Sequence, residues 1–288
     1  MNSVMISNGA GMDIELPDLR KAGRVALRLL FKLPPTIRDS LIFGSSRLAV
    51  PLQKAIVRSL GGTYFVKTKF TDGPMRGQLL FCNTAEKYFY LGSHVEDDVQ
   101  KVLKDNLRDG DVCYDVGGHI GYMALLFSAI VGSTGKVFCF EPSPTNFLRV
   151  KRNVEANDAK HLRVMNLAAS NREGKAVLVE DGSMSTIAES PTGSNDLSDI
   201  RTIRLDDFVY RDGNPAPSFI KLDVEGHAGP ALEGARQIFD SVRPILMVEI
   251  HDDAENERVR TFLSPYHYGW SFIGRSDEYP KRVINLPH

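Results

Sequence analysis

Val112-Cys113-Tyr114-Asp115-Val116-Gly117-Gly118-His119-Ile120-Gly121-Tyr122 is an apolar run of strand character that enters a glycine turn. It leaves the turn as Met123-Ala124-Leu125-Leu126, an apolar helical segment, so the order is strand, tight turn, helix. The next apolar run, Lys136-Val137-Phe138-Cys139-Phe140, stops on the carboxylate of Glu141. Glycines let backbone approach a ligand closely, and an acid at the tip of the neighbouring strand can accept hydrogen bonds from both hydroxyls of a ribose. Two adjacent strand ends therefore frame a nucleoside.

The turn itself narrows which nucleoside this is. A dinucleotide fingerprint needs glycines at the first, third and sixth positions, but counting from Gly117 those places hold His119 and Tyr122. An NAD(P)-binding oxidoreductase is thereby the weaker alternative, and a non-catalytic nucleoside-binding module is another. What is present is Asp115-x-Gly117-x-x-x-Gly121, which suits a cationic cofactor without a pyrophosphate. S-adenosylmethionine fits, with Asp115 expected to neutralise its aminoacyl end directly or through water and Glu141 to hold its ribose.

Further along, Ser218-Phe219-Ile220-Lys221-Leu222 is a strand that ends in Asp223-Val224-Glu225-Gly226-His227 and continues as a helix through Pro230-Ala231-Leu232-Glu233-Gly234-Ala235. With the glycine turn, Phe140-Glu141-Pro142 and Met247-Val248-Glu249-Ile250-His251, these motifs resemble, in order, those of the FkbM family of S-adenosylmethionine-dependent methyltransferases, over about residues 90 to 275. The family usually has Ala-Asn where this chain has Gly118-His119, and a glutamate in place of Ala228. The resemblance implies a class I, Rossmann-like α/β fold, with a seven-stranded mostly parallel sheet, helices on both faces and a closing antiparallel hairpin from Ser271–Ile273 and Arg282–Leu286. It also implies O-methylation of a hydroxyl on a sugar or secondary metabolite, with S-adenosylhomocysteine as product, and places Glu96 near the cofactor. As sequence alone, Ser93 followed by Glu96 reads as a capping box for a helix over 95–107.

In an open sheet of this kind, ligands collect beyond the carboxyl ends of the strands. Asp115, Glu141, Asn166, Asp223 and Glu249 fall at or near such ends. Gly117, Gly118, His119 and Gly121 then form the cofactor turn, Pro142 an apolar wall, and Asn166 or Ala168 the adenine side. Asn166 reads equally well as a strand-terminating turn residue. A neutral hydroxyl is a poor nucleophile and needs a base, which contributes on the order of 10²–10⁴ in rate, or a metal. Asp223, Glu225, His227 and His251 are the candidates, with His227 as base and Asp223 orienting; Asp223 also borders the cofactor. Glu225 serves equally as a helix cap. Asp223 with Glu249, His251, Asp252 or Asp253 could hold magnesium, a reading that is not favoured over a metal-free site.

The chain has 288 residues, 42% of them hydrophobic, and a net charge of −1, a balance unlike that of a nucleic-acid-binding protein. Residues 1–60 nonetheless carry nine Lys/Arg against four Asp/Glu. The pattern over 18–32 and 36–60 is helical, giving a basic helical extension over 1–62 that packs on the catalytic domain or a second subunit, with membrane association the less favoured reading. A small antiparallel element is expected over 63–90 and the catalytic core over 91–288. Strands are expected at 112–116, 136–141, 162–167, 218–223 and 244–250, helices near 121–131, 144–156 and 229–241, and a Ser/Gly/Thr-rich loop over 180–197. Three cysteines without metal spacing read as reduced thiols, and with no secretory pattern or long apolar run the expected location is cytoplasmic.

Overall fold

The computed structural model describes residues 4–7, 12–16, 65–70, 73–83, 96–181, 184–188, 196–274 and 279–287. The chain divides into two units, Met1–Asp97 and Asp98–His288.

The first unit contains an antiparallel sheet in the order β1 (Val4–Ser7), β2 (Met12–Leu16), β3 (Phe65–Phe70) and β4 (Leu79–Asn83). The β3–β4 pair is the antiparallel element expected from the sequence. Strands β1 and β2 were not expected, because each is short and its sheet lies about fifty residues further along the chain. The helical patterns at 18–32 and 36–60 lie outside the described residues, as do Ser93 and His94. In β4 the alternation of half-buried and buried positions puts Leu80 and Cys82 inside, and the Thr68 hydroxyl donates to the Leu80 carbonyl at 2.8 Å.

The helix α1 (Asp97–Asn106) begins at the division between the units and leads into the second. Its start corrects the capping-box reading: Glu96 has φ 58, so it stands outside the helix rather than in its first turn. There follow β5 (Val112–Val116), α2 (Tyr122–Val131), β6 (Lys136–Phe140), α3 (Pro144–Ala156) and β7 (Leu162–Met165). Ser143 begins α3 by accepting from the Asn146 amide, with Pro144 in the first helical position where its missing N–H costs nothing. A second sheet is then built from β8 (Ala168–Ala169), β9 (Gly174–Asp181), β10 (Met184–Ala188) and β11 (Asp196–Ile203), in the order β10-β9-β11-β8. Much of the expected 180–197 loop is thus strand, since backbone pairing with β9 overrides the weak strand preference of its small residues.

The chain closes with β12 (Phe219–Leu222), α4 (Ala228–Glu233), α5 (Arg236–Ser241), β13 (Ile245–Ile250), α6 (Asp253–Leu263), β14 (Tyr268–Ile273) and β15 (Lys281–Pro287). The single helix expected over 229–241 is two. A buried Asp206 carboxylate accepts from the Gln237 and Ile238 amides, which starts a new helix after Gly234.

The main sheet has the order β14-β15-β13-β12-β5-β6-β7. It is parallel from β13 to β7, and β15 runs antiparallel to both β13 and β14, the closing hairpin of a class I methyltransferase fold. Alternation along the strands separates two faces. Tyr114, Phe138 and Phe140 point to one, where they meet Phe208 edge-on at 5.2–5.7 Å between centroids and join the core beneath α4, α5 and α6. Phe219 points to the other and packs on Phe127 of α2. Strand order reverses between β5 and β12, which places the ligand crevice at the carboxyl ends of these two strands.

Candidate functional site

At that reversal, the turn after β5 lies against the chain leaving β12. Gly117 has φ 87, and a Cβ there would overlap the Asp223 carbonyl oxygen, so only glycine brings the two backbones this close. Gly117 and Gly118 amides both donate to the Phe140 carbonyl, at 2.9 and 3.1 Å. His119 follows with φ 51, a left-handed conformation that His, like Asn, adopts more readily than most residues. Gly121, with φ 85, begins α2, and the buried Asn153 of α3 donates to the Ile120 carbonyl at 2.8 Å, which fixes the turn from the other side.

Gly118 stands among Asp115, Cys139 and Glu141, and a Cβ there would overlap the Cys139 sulfur. We expect Gly118→Ala to overpack this spot and cost about 1–3 kcal/mol, and Gly118→Ala with Cys139→Ala to recover most of it. Chemical denaturation of both variants checks this. An unrelieved double variant would mean that the strain lies elsewhere in the turn.

Glu141, just beyond β6, is 5% exposed, and both of its oxygens are fixed by backbone: Oε2 accepts from the His119 amide at 2.6 Å and Oε1 from the Ser143 amide at 2.9 Å. Burial pushes its carboxyl up to about 7, against those two hydrogen bonds. Each oxygen keeps a lone-pair direction for a further donor. Asn166 donates its side-chain amide to the carbonyls of Glu141 and Pro142, at 2.9 and 2.8 Å. This ends β7 at Met165, two residues earlier than expected, and makes Asn166 a brace for the Glu141 loop. Ala168 is not at the strand ends. It is 3% exposed and packs with Leu178 and Ile200 in the core of the second sheet.

Asp115 has no exposed surface, so of the two routes expected for it the direct contact is closed. Its cross-strand neighbour in β12 is Lys221, whose ammonium lies 3.3 Å from Asp115 Oδ1, 3.3 Å from Asp223 Oδ2 and 3.0 Å from the Gly117 carbonyl. Burial pushes the Asp115 carboxyl up against the pull of Lys221. For Asp223, burial is outweighed by Lys221 and His251, and its carboxyl lies below the ordinary range. Lys221 appears within the sequence motif, but its function was not legible there because its partners are set by sheet register.

Beyond β12 and β13 a second cluster forms. His251 Nε2 is 3.2 Å from Glu225 Oε2, 3.8 Å from Asp223 Oδ1 and 3.8 Å from Glu249 Oε1. Its Nδ1 lies 3.2 Å from Oε2 of Glu255, a fully buried carboxylate that also accepts from the His251 and Ala228 amides. Burial alone would lower His251, but these carboxylates raise it to about 9. It is therefore an imidazolium at neutral pH and cannot act there as a proton acceptor. Glu225 has φ 46 and turns toward His251, and it is Glu255, unforeseen from sequence, that meets the first amide of α4; the capping reading of Glu225 is corrected accordingly. His227 occupies the residue before α4 and reaches in another direction, with Nε2 3.1 Å from the buried Ser170 hydroxyl. The structure thus groups Asp223, Glu225, Glu249 and His251, and ties His227 to Ser170. Among the described residues no helix is long and apolar enough to cross a membrane.

Residues 115–271 match the family described as Methyltransferase FkbM domain. The chain is 30% identical over 174 residues to the hexuronic acid methyltransferase AglP of Haloferax volcanii, covering 59% of this chain and 68% of that protein. Among solved structures it is similar to the methyltransferase FkbM of Methylobacillus flagellatus, at 21% identity and a TM-score of 0.48, over 62% of this chain but only 44% of that one. It is also similar to an S-adenosylmethionine-dependent O-methyltransferase of Thermotoga maritima, at 10% identity and a TM-score of 0.43, over 70% and 71% of the two chains. The order of motifs, the sheet reversal with Glu141 beside a glycine turn, and the family match over more than half of its length together identify the chain as a member of the FkbM family of S-adenosylmethionine-dependent methyltransferases.

Proposed function

We propose that this methyltransferase acts on a hydroxyl oxygen of a sugar. The observation that carries the cofactor side is Glu141, a buried carboxylate fixed by two backbone amides directly over the glycine turn, with acceptor capacity left for two ribose hydroxyls. A relative that methylates hexuronic acid supports the sugar. Gly117, Gly118, His119 and Gly121 would form the floor of the cofactor site, with Pro142 and Asn166 shaping its adenine side. The bound cofactor supplies an electrophilic methyl group on a sulfonium.

On the acceptor side, Asp223 and Glu225 lie beyond the end of β12 and are suited to accept hydrogen bonds from sugar hydroxyls. His251, as a cation, would help to hold Asp223 and Glu225 in place. His227 is the base we assign. It would take the hydroxyl proton as the acceptor oxygen bonds to the methyl carbon and the C–S electron pair returns to sulfur, and the Ser170 hydroxyl would fix its ring. A near-balanced charge accords with a small-molecule rather than nucleic-acid substrate, and we place the enzyme in the cytoplasm.

Incubation with methyl-labelled S-adenosylmethionine and a panel of hexoses and hexuronic acids should put label into a sugar ether. A chain that binds S-adenosylhomocysteine but labels no sugar would sink the substrate assignment. In the same assay His227→Ala should lower kcat on the order of 100-fold, with S-adenosylhomocysteine affinity unchanged. Full activity in that variant would remove His227 from the reaction.

A further inference from the structure

We propose that Asp223, Glu249 and His251 bind one divalent cation of the Mn²⁺ type, a site that goes beyond the methyltransferase reading and rests on geometry. The ligand atoms of Asp223, Glu249 and His251 all lie within 4.8 Å of one another. An octahedral ion with ligand distances near 2.1 Å needs its donors about 3 to 4.2 Å apart. The separations from His251 Nε2 to the Asp223 and Glu249 oxygens, both 3.8 Å, fall within that range.

The surrounding contacts make this more than a group of acids. Each carboxylate from a strand end has its outer oxygen taken by a fixed cation: Asp223 Oδ2 by Lys221 and Glu249 Oε2 by Arg282 of β15. Their other oxygens, Asp223 Oδ1 and Glu249 Oε1, are the ones that face His251 Nε2. The imidazole is turned toward them because its Nδ1 is held by the buried Glu255, the carboxylate–histidine arrangement that orients metal-bound imidazoles. A divalent ion would take the place of the proton that His251 carries on Nε2, while Lys221 and Arg282 keep the outer oxygens of Asp223 and Glu249. The carboxylate oxygens suit Mn²⁺, Mg²⁺ and Ca²⁺ alike, and the single imidazole nitrogen turns the choice toward a transition-metal ion. Three side-chain ligands leave coordination positions for water or for an acceptor oxygen.

The test is titration of the metal-stripped full chain with MnCl₂, followed by the electron paramagnetic resonance of free Mn²⁺ and by calorimetry. We expect one ion per chain, at least tenfold weaker binding in His251→Gln and in Glu249→Gln, and a loss of about 10- to 100-fold in Glu255→Gln, where no ligand is removed but the imidazole loses its orienting partner. Binding of S-adenosylhomocysteine, measured in parallel, shows that each variant is folded. A chain that binds S-adenosylhomocysteine but takes up no stoichiometric Mn²⁺ overturns the metal site and leaves the methyltransferase reading standing; uptake of Mn²⁺ without S-adenosylhomocysteine binding does the reverse. Unchanged Mn²⁺ affinity in both ligand variants would place the ion elsewhere and overturn the assignment.

Discussion

Lys221→Met should destabilise the protein by about 3–5 kcal/mol, because it strips the counter-charge from a carboxylate that has no access to water. Asp115 is fully buried and Lys221 is its cross-strand ion-pair partner, so removing one partner leaves the other charge uncompensated. The same ammonium donates to the Gly117 carbonyl, so the glycine turn loses a fixed point as well. Adding Asp115→Asn to Lys221→Met removes the stranded charge and should return part of the stability, a coupling that a double-mutant cycle by urea denaturation measures directly. Additive effects of the two substitutions would show that the pair contributes nothing as a pair. Cofactor affinity should stay weakened in the double variant, since neither asparagine nor methionine ties Asp223 to the turn.

Glu141→Ala should weaken S-adenosylhomocysteine binding about 100-fold or more. Two hydroxyl donors to a carboxylate are each worth about 1.5–3 kcal/mol, and the His119 and Ser143 amides would lose their acceptor too. The intact enzyme should show a pH signature of the same group. With its carboxyl pushed up to about 7 by burial, Glu141 is largely neutral at pH 6 and charged at pH 8. Affinity should therefore rise across that interval and then level off, because the charged form is the stronger acceptor. Stability without ligand should move the other way: a carboxyl raised by folding favours the native state at low pH, and that contribution disappears as pH rises through about 7. Calorimetric titrations and melting curves between pH 5.5 and 8 check both trends, which should flatten in Glu141→Ala. A pH-independent affinity in the unsubstituted enzyme would contradict the assigned role.

The parallel strands and the acids at their tips were legible because both are local signals. An apolar run that stops on Glu141 or Asp223 shows a strand and its polar end within six residues. The connections between those tips were not legible. Lys221 meets Asp115 through register, Arg282 reaches Glu249 from a strand that runs the opposite way, and Glu255 orients His251 from the first turn of α6. The direct contact expected of Asp115, the adenine-side place of Ala168 and the capping reading of Glu225 missed for the same reason: position along a strand says where a side chain begins but not what already occupies its charge or its space. Strands β1, β2 and β10 escaped because a few residues acquire strand conformation only from a partner strand.

The antiparallel β15 inserts between β13 and β14 and delivers Arg282 to the Glu249 carboxylate. Translation proceeds in the opposite sense to this need: β5, β6 and their glycine turn exist long before residues 281–287 have been made. The glycine turn rests on Lys221 and Asp223 of the β12 end, so the nucleoside crevice has all its contacts in sequence before the final hairpin, and the Glu249 side alone waits for it. A polypeptide interrupted upstream of residue 281 would keep every motif that names the family and still leave Glu249 without its guanidinium partner.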